Sequence, residues 1–205
     1  KTISQNEENL VSALRDMAEN GVKSVMFAGE GEPALWKPLP DVLEKTKGFG
    51  LDYAMTTNMV PFSKANTEKF IANCSWIKAS INAGSVEDYE AIHQTKASDF
   101  QKVMKNFERS VEIKHQHNYE CTLGGQMVLL PANKDHAITL AKRLRDIGAD
   151  HLVIKPYTQS VYGISHVYDG LLYDDMMHMQ EELDSISTDS FEVVFRANTM
   201  KKLNE

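Results

Sequence analysis

The stretch VKSVMFAGEGEP, residues 22–33, decides how the rest of the chain is read. Val22–Ala28 is a short apolar run with β-branched and aromatic residues, the pattern of a buried strand. It runs straight into Gly29-Glu30-Gly31-Glu32-Pro33. The two glycines let the backbone come close to a ligand, and Pro33 has no amide hydrogen to lose by opening a helix. Two carboxylates beside exposed carbonyls favour a cation such as an ammonium group, whereas phosphate would be repelled despite the helix start. The same residues also suit an acidic strand-to-helix turn that faces water.

Working outward, the pattern repeats. Strands are expected at Val22–Ala28, Leu51–Thr57, Trp76–Ile81, Glu120–Leu130, His151–Tyr157 and Phe191–Arg196. Amphipathic helices are expected at Asn9–Asn20, Leu39–Lys47, Ser63–Asn73, Phe100–Lys114, Asp135–Ile147 and Asp174–Asp184. Gly21, Gly48 and Gly148 stand where helices should stop before the next strand. This alternation argues an α/β fold with a parallel sheet. Polar residues collect after each strand, at Thr56-Thr57-Asn58, Ser80-Ile81-Asn82, Pro131-Ala132-Asn133 and Pro156-Tyr157-Thr158-Gln159. Carboxyl ends of parallel strands are where such folds build small-molecule sites, though any α/β domain turns polar there. Ser160–Gly170 is the least regular segment and is read as a loop over the pocket mouth.

Composition narrows the class. With 205 residues and 42% apolar content, a single domain with a full core is expected over 1–205. The net charge is -7 without a Lys/Arg block, which disfavours nucleic acid as a partner. No apolar run reaches the length of a membrane span and no leader-like segment opens the chain. Cys74 and Cys121 form no disulfide framework, so a cytoplasmic, reducing compartment is expected. The first residue is Lys1 rather than Met, which marks the chain as a fragment of a longer protein or one from which residues were removed.

The Gly31-Glu32-Pro33 turn at the end of an early strand resembles the motif with which radical S-adenosylmethionine (SAM) enzymes hold the amino group of SAM. Glu30 stands where many of them carry another glycine. The later landmarks come in the family's order. The strand ending Thr56-Thr57-Asn58 is similar to the family's third, with Met59 in place of a frequent glycine. Ser80-Ile81-Asn82 resembles the fourth-strand end, Val128–Asn133 the fifth-strand region beside the adenine, and Ile154–Tyr157 the sixth strand. The resemblance runs from about Asn9 to Tyr157 and rests on order and placement rather than on one motif.

The resemblance implies a partial (β/α)6 TIM-like barrel with parallel strands whose first strand is missing. It implies SAM as cofactor, with Glu30, Gly31, Glu32 and Pro33 at its amino group. Thr57, Ser80 and Asn82 would serve its ribose and carboxylate, Asn58 would belong to the same cofactor site, and Pro131 and Tyr157 would flank the adenine. A [4Fe–4S] cluster in the intact protein would be held by a Cys-x3-Cys-x2-Cys loop, which this chain lacks. The family cleaves SAM reductively to a 5′-deoxyadenosyl radical that abstracts hydrogen from a small-molecule or peptide substrate. The electrons would come from a donor such as flavodoxin or ferredoxin.

Competing chemistries remain. Lys155 and Lys78 lie within otherwise apolar strands, and a desolvated lysine can form a Schiff base with a carbonyl, so a barrel aldolase using Lys155 is one alternative. An ion pair or a SAM carboxylate contact explains the same lysine. A non-catalytic barrel scaffold is another alternative. Arg196, at a strand end, suits a substrate carboxylate or a structural salt bridge. Trp36 reads as a packing anchor, and the Met176–Met179 run as adaptable helix packing. His115 and His117 diverge on a helix and would not share a metal.

Overall fold

A computed structural model describes residues 6–29, 31–159, 162, 164 and 166–203. In chain order its elements are α1 (Glu7–Glu19), β1 (Ser24–Phe27), α2 (Leu39–Gly48), β2 (Asp52–Thr57), α3 (Thr67–Ile71), β3 (Cys74–Ser80), α4 (Val86–His93), α5 (Ala97–His117), β4 (Thr122–Leu129), α6 (Ala137–Ile147), β5 (His151–Pro156), α7 (Met179–Asp184), β6 (Glu192–Phe195) and α8 (Ala197–Lys202). The strands are ordered β1-β2-β3-β4-β5-β6. The pairs β1–β2, β2–β3, β4–β5 and β5–β6 are all parallel. This is the α/β fold with the strand order of a partial TIM-like barrel. The described residues fall into two compact units, one drawn from within 6–80 and 102–123 and one from within 81–101 and 124–203.

In the first unit, Asn6 caps α1 by accepting from the Asn9 amide at 3.0 Å, and Glu7 and Glu8 complement the helix start. Leu14, Val42 and Leu51 form a buried cluster, with Leu10, Val11, Val25, Phe27 and Trp36 packed against it. Trp36 therefore anchors the loop as its sequence position suggests. Gly21 takes φ 85 just past α1, as a helix stop should. Gly48 does not: it is the last residue of α2, and Gly50 supplies the positive φ of 80 two residues later.

In the second unit, α6 presents Ala137, Leu140, Ala141 and Leu144, a three-four spacing that buries one face. An added Cβ on Gly125 would come within 2.5 Å of Leu144 Cδ1, so that glycine lets helix and strand approach. Gly148 closes the helix at φ 88.

The expected strands are all present within one or two residues. The helices differ more. Ser63–Asn73 shrinks to the five residues of α3, and the start of Asp135–Ile147 and most of the first turn of Asp174–Asp184 are 3-10 turns. Two helices, α4 and α8, were not expected. The signal for α4 was present: Ser85 caps it by accepting from the Asp88 amide at 3.1 Å, with Glu87 and Asp88 in the first turn. Cys74 begins β3.

Candidate functional site

Glu32 organises the loop after β1. It caps the short 3-10 turn Pro33–Leu35, and Pro33 occupies the first position, where a missing amide hydrogen costs nothing. The Glu32 carboxylate accepts from Ala34 N at 3.0 Å and Thr57 Oγ1 at 2.6 Å through Oε1, and from Asn58 N at 2.5 Å through Oε2. A carboxylate has about four acceptor positions, so one remains. Its first work is to weld the loop to the end of β2. Thr57 is buried and its hydroxyl is spent inside the loop, donating to Glu32 and accepting from Met59 N at 2.9 Å. Asn58 turns its own Oδ1 back to Val60 N at 3.0 Å. Gly31 is exposed, and the space a Cβ would fill there holds no atom within 4 Å, so a ligand can reach its backbone. Glu30 lies outside the described residues.

Met59 stands where the resemblance often has glycine, and the backbone shows why glycine suits the position. Met59 sits at φ 62 with its side chain fully buried. That left-handed conformation is strained for a residue with a Cβ. It is held from both sides, through its N–H to Thr57 and through its carbonyl, which accepts from Asn106 Nδ2 at 2.9 Å. Sequence reasoning passed over Asn106. The signal lay in α5, whose stripe Val103, Asn106, Phe107, Ser110 and Val111 is buried and carries two polar residues among apolar ones.

The second unit contains Asn82, Pro131 and Tyr157. Asn82 donates its amide to His93 Nε2 at 3.2 Å, its Oδ1 accepts from Val128 N at 2.8 Å, and its carbonyl accepts from Asn133 Nδ2 at 2.9 Å. Only its Nδ2 donor is uncommitted. Asn133, fully buried, also reaches Val128 O at 2.9 Å and accepts from Leu130 N at 2.8 Å. The turn after β4 is thereby locked to the segment after β3, and Pro131 sits exposed at its tip. Burial pushes the pKa of His93 down, consistent with a neutral ring accepting from Asn82. Tyr157 is half-buried; its amide donates to Tyr173 Oη at 2.6 Å, and Tyr173 donates to Leu129 O at 3.0 Å. Burial raises the Tyr173 pKa. The Tyr157 hydroxyl donates to Gln159 and its ring meets Tyr168 edge-on at 5.5 Å. Ser80 is the half-buried last residue of β3, in the first unit.

The structure thus brings Glu32, Thr57 and Asn58 together in one unit. In the other it ties Asn82 to the turn that bears Pro131. Asn133, quoted in the sequence only as part of a strand end, supports these positions together with His93, Asn106 and Tyr173, which were not singled out because each acts by holding a neighbour. Several residues of Ser160–Gly170 lie outside the described set. Among the described residues no grouping of three or more His, Cys, Asp or Glu could hold a metal ion, and Cys74 and Cys121 are buried free thiols. Lys155 lies half-buried on β5, beside Val128 in register, and makes no ion pair among the described residues. Lys78 stacks over Trp76 at 5.0 Å. No helix among the described residues is long and apolar enough to cross a membrane.

No protein-family model and no curated protein sequence matches the chain. Solved structures do. SuiB from Streptococcus suis bound to S-adenosylmethionine matches with a TM-score of 0.72 at 14% identity, over 96% of this chain and 45% of that one. SuiB bound to its precursor peptide SuiA matches at 0.72 and 16%, over 94% and 43%. A domain of pyruvate-formate lyase-activating enzyme from Bacteroides vulgatus matches at 0.59 and 16%, over 84% of this chain and 98% of that one. TYW1 with a lysine-pyruvate adduct bound matches at 0.62 and 13%, over 87% and 61%. The chain spans less than half the length of the SuiB structures. Strand order, parallel pairing and these neighbours agree: the chain has the fold of a radical SAM barrel domain.

Proposed function

We propose that this chain is the SAM-binding portion of a radical SAM enzyme that acts on a peptide. The observation that carries the reading is Glu32. Its carboxylate is fixed by three hydrogen bonds at the carboxyl end of β1, with one acceptor position left and an open glycine backbone beside it. That donor set fits an ammonium group. Within the other unit, taken by itself, the resemblance assigns Asn82, whose side-chain amide is uncommitted, to the ribose or carboxylate of SAM, and Tyr157 to its adenine. SAM, when bound beside a reduced [4Fe–4S] cluster, supplies a 5′-deoxyadenosyl radical for hydrogen abstraction. The described residues do not fit the cluster itself, so its ligands would come from other parts of the protein, and its electrons from a separate donor such as flavodoxin or ferredoxin. A peptide substrate is supported by the peptide-bound SuiB neighbour.

Calorimetric titration of SAM into the chain tests this. Saturable binding is expected, weakened about tenfold in Glu32→Gln, since a charge-assisted hydrogen bond contributes roughly 1.5–3 kcal/mol. Absence of SAM binding by a folded chain overturns the reading.

One observation favours a second reading for Lys155. It is half-buried without an ion pair among the described residues, and a neighbour of the same fold has a lysine-pyruvate adduct bound. A Schiff base at Lys155 would be trapped by borohydride with pyruvate or small aldehydes. Mass spectrometry finding no label at that residue retires it.

A further inference from the structure

A cavity of about 320 Å³ opens where β6 meets α8, and the SAM reading makes no use of it. Its lining includes Arg196, Lys201, Gln180, Asn198 and Thr199 over an apolar base at Phe195. Two cationic residues, two amides and one hydroxyl are among its lining, and none of the lining residues among those described carries a carboxylate. The nearest acid in the bonding pattern is Asp184, which accepts from Gln180 Nε2 at 3.5 Å. Neither Arg196 nor Lys201 pairs with an acid among the described residues. In a chain of net charge -7, the only charges among the described residues that line this place are positive.

The local chain fixes the spacing. The Arg196 amide extends the β5–β6 ladder by donating to Ile154 O at 2.9 Å, and Arg196 then stands at the N-terminal boundary of α8 without a side-chain capping bond. Lys201 follows five residues later, roughly 7.5 Å along a helix axis at the usual rise. A guanidinium fork matches the two oxygens of a carboxylate or phosphate, and an ammonium adds a second, geometrically looser charge. A volume near 300 Å³ is at the lower end of small-molecule sites.

We propose that this cavity binds the oxyanion of a small molecule, a carboxylate or a phosphate, with Arg196 as the bidentate anchor and Lys201 as the second charge. Gln180, Asn198 and Thr199 orient the remainder of the ligand. The site is separate in its residues from those assigned to SAM, so it stands or falls independently of that reading.

The test is a titration of the chain by 1H–15N NMR with inorganic phosphate, glutarate and acetate, each at constant ionic strength made up with chloride. Saturable shifts are expected at the Arg196 side chain and at the amides of Ala197, Asn198 and Thr199. The tighter of phosphate and glutarate identifies the source of the oxyanion. Arg196→Gln and Lys201→Gln should each weaken binding about tenfold. Lys202→Gln, which adds the same charge change beside the lining, should leave it unchanged. Dispersed spectra of each variant establish that it is folded, and Arg196→Lys, which keeps charge without the fork, should bind at an intermediate strength. Shifts that chloride reproduces, or equal affinities across the Arg196, Lys201 and Lys202 variants, overturn the proposal.

Discussion

At the scale of single residues, the candidate site is made of side chains that hold other side chains. Met59 shows the balance of forces. Its left-handed backbone costs roughly 1–3 kcal/mol, which glycine would relieve. Its side chain is fully buried, and truncating a buried methionine costs roughly 2–5 kcal/mol. Met59→Gly is therefore expected to be destabilising on balance, by about 1–3 kcal/mol in urea denaturation. A more stable variant would mean that strain dominates. His93 gives the pH dependence. Its folded pKa is lowered from 6.5 by burial, so the unfolded chain takes up the proton first as pH falls. The stability it contributes is complete above pH 6.5 and is lost as pH drops from there through the lowered folded value. Protonation also removes the acceptor for the Asn82 amide. Melting curves should show this acid loss shrinking in His93→Gln; an unchanged profile would place its origin elsewhere.

At the scale of elements, the ends of strands matter more than their middles. The segment after β3 is pinned to the turn after β4 by Asn133 and by Gly84. A Cβ on Gly84 would fall 2.4 Å from the His136 carbonyl oxygen, a backbone atom that a rotamer change cannot move. Gly84→Ala should cost about 1–3 kcal/mol of stability and weaken SAM binding through Asn82. Thermal melts with titration of SAM read both effects, and wild-type values in both would show that the loop yields freely. The contact was invisible in sequence, where Gly84 is one more glycine in a polar segment. The strands themselves were legible, because apolar runs bounded by glycine and polar residues have few alternatives. Short helices such as α3 and α8 were less so, since one turn of periodicity carries little signal.

At the scale of the molecule, two buried cysteines and the lack of a metal-capable cluster among the described residues set what the chain can hold. Anaerobic reconstitution with iron and sulfide, followed by desalting, should leave these residues without a [4Fe–4S] absorption band, while SAM binding is retained. A stable cluster on this chain would contradict the assignment of its ligands to other parts of the protein. The sequence by itself determined the parallel α/β alternation, the places of the strands along the chain and the acidic turn at residues 29–33. Those follow from local patterns of apolar and turn-forming residues. Tertiary structure decided that Glu32 is spent mainly on Thr57, Asn58 and Ala34, that Asn82 keeps only its side-chain NH2 free, and that Arg196 and Lys201 line one cavity. Hydrogen-bond partners and shared cavities join residues far apart in the chain, and the spacing of residues along a sequence carries no record of which distant groups will meet.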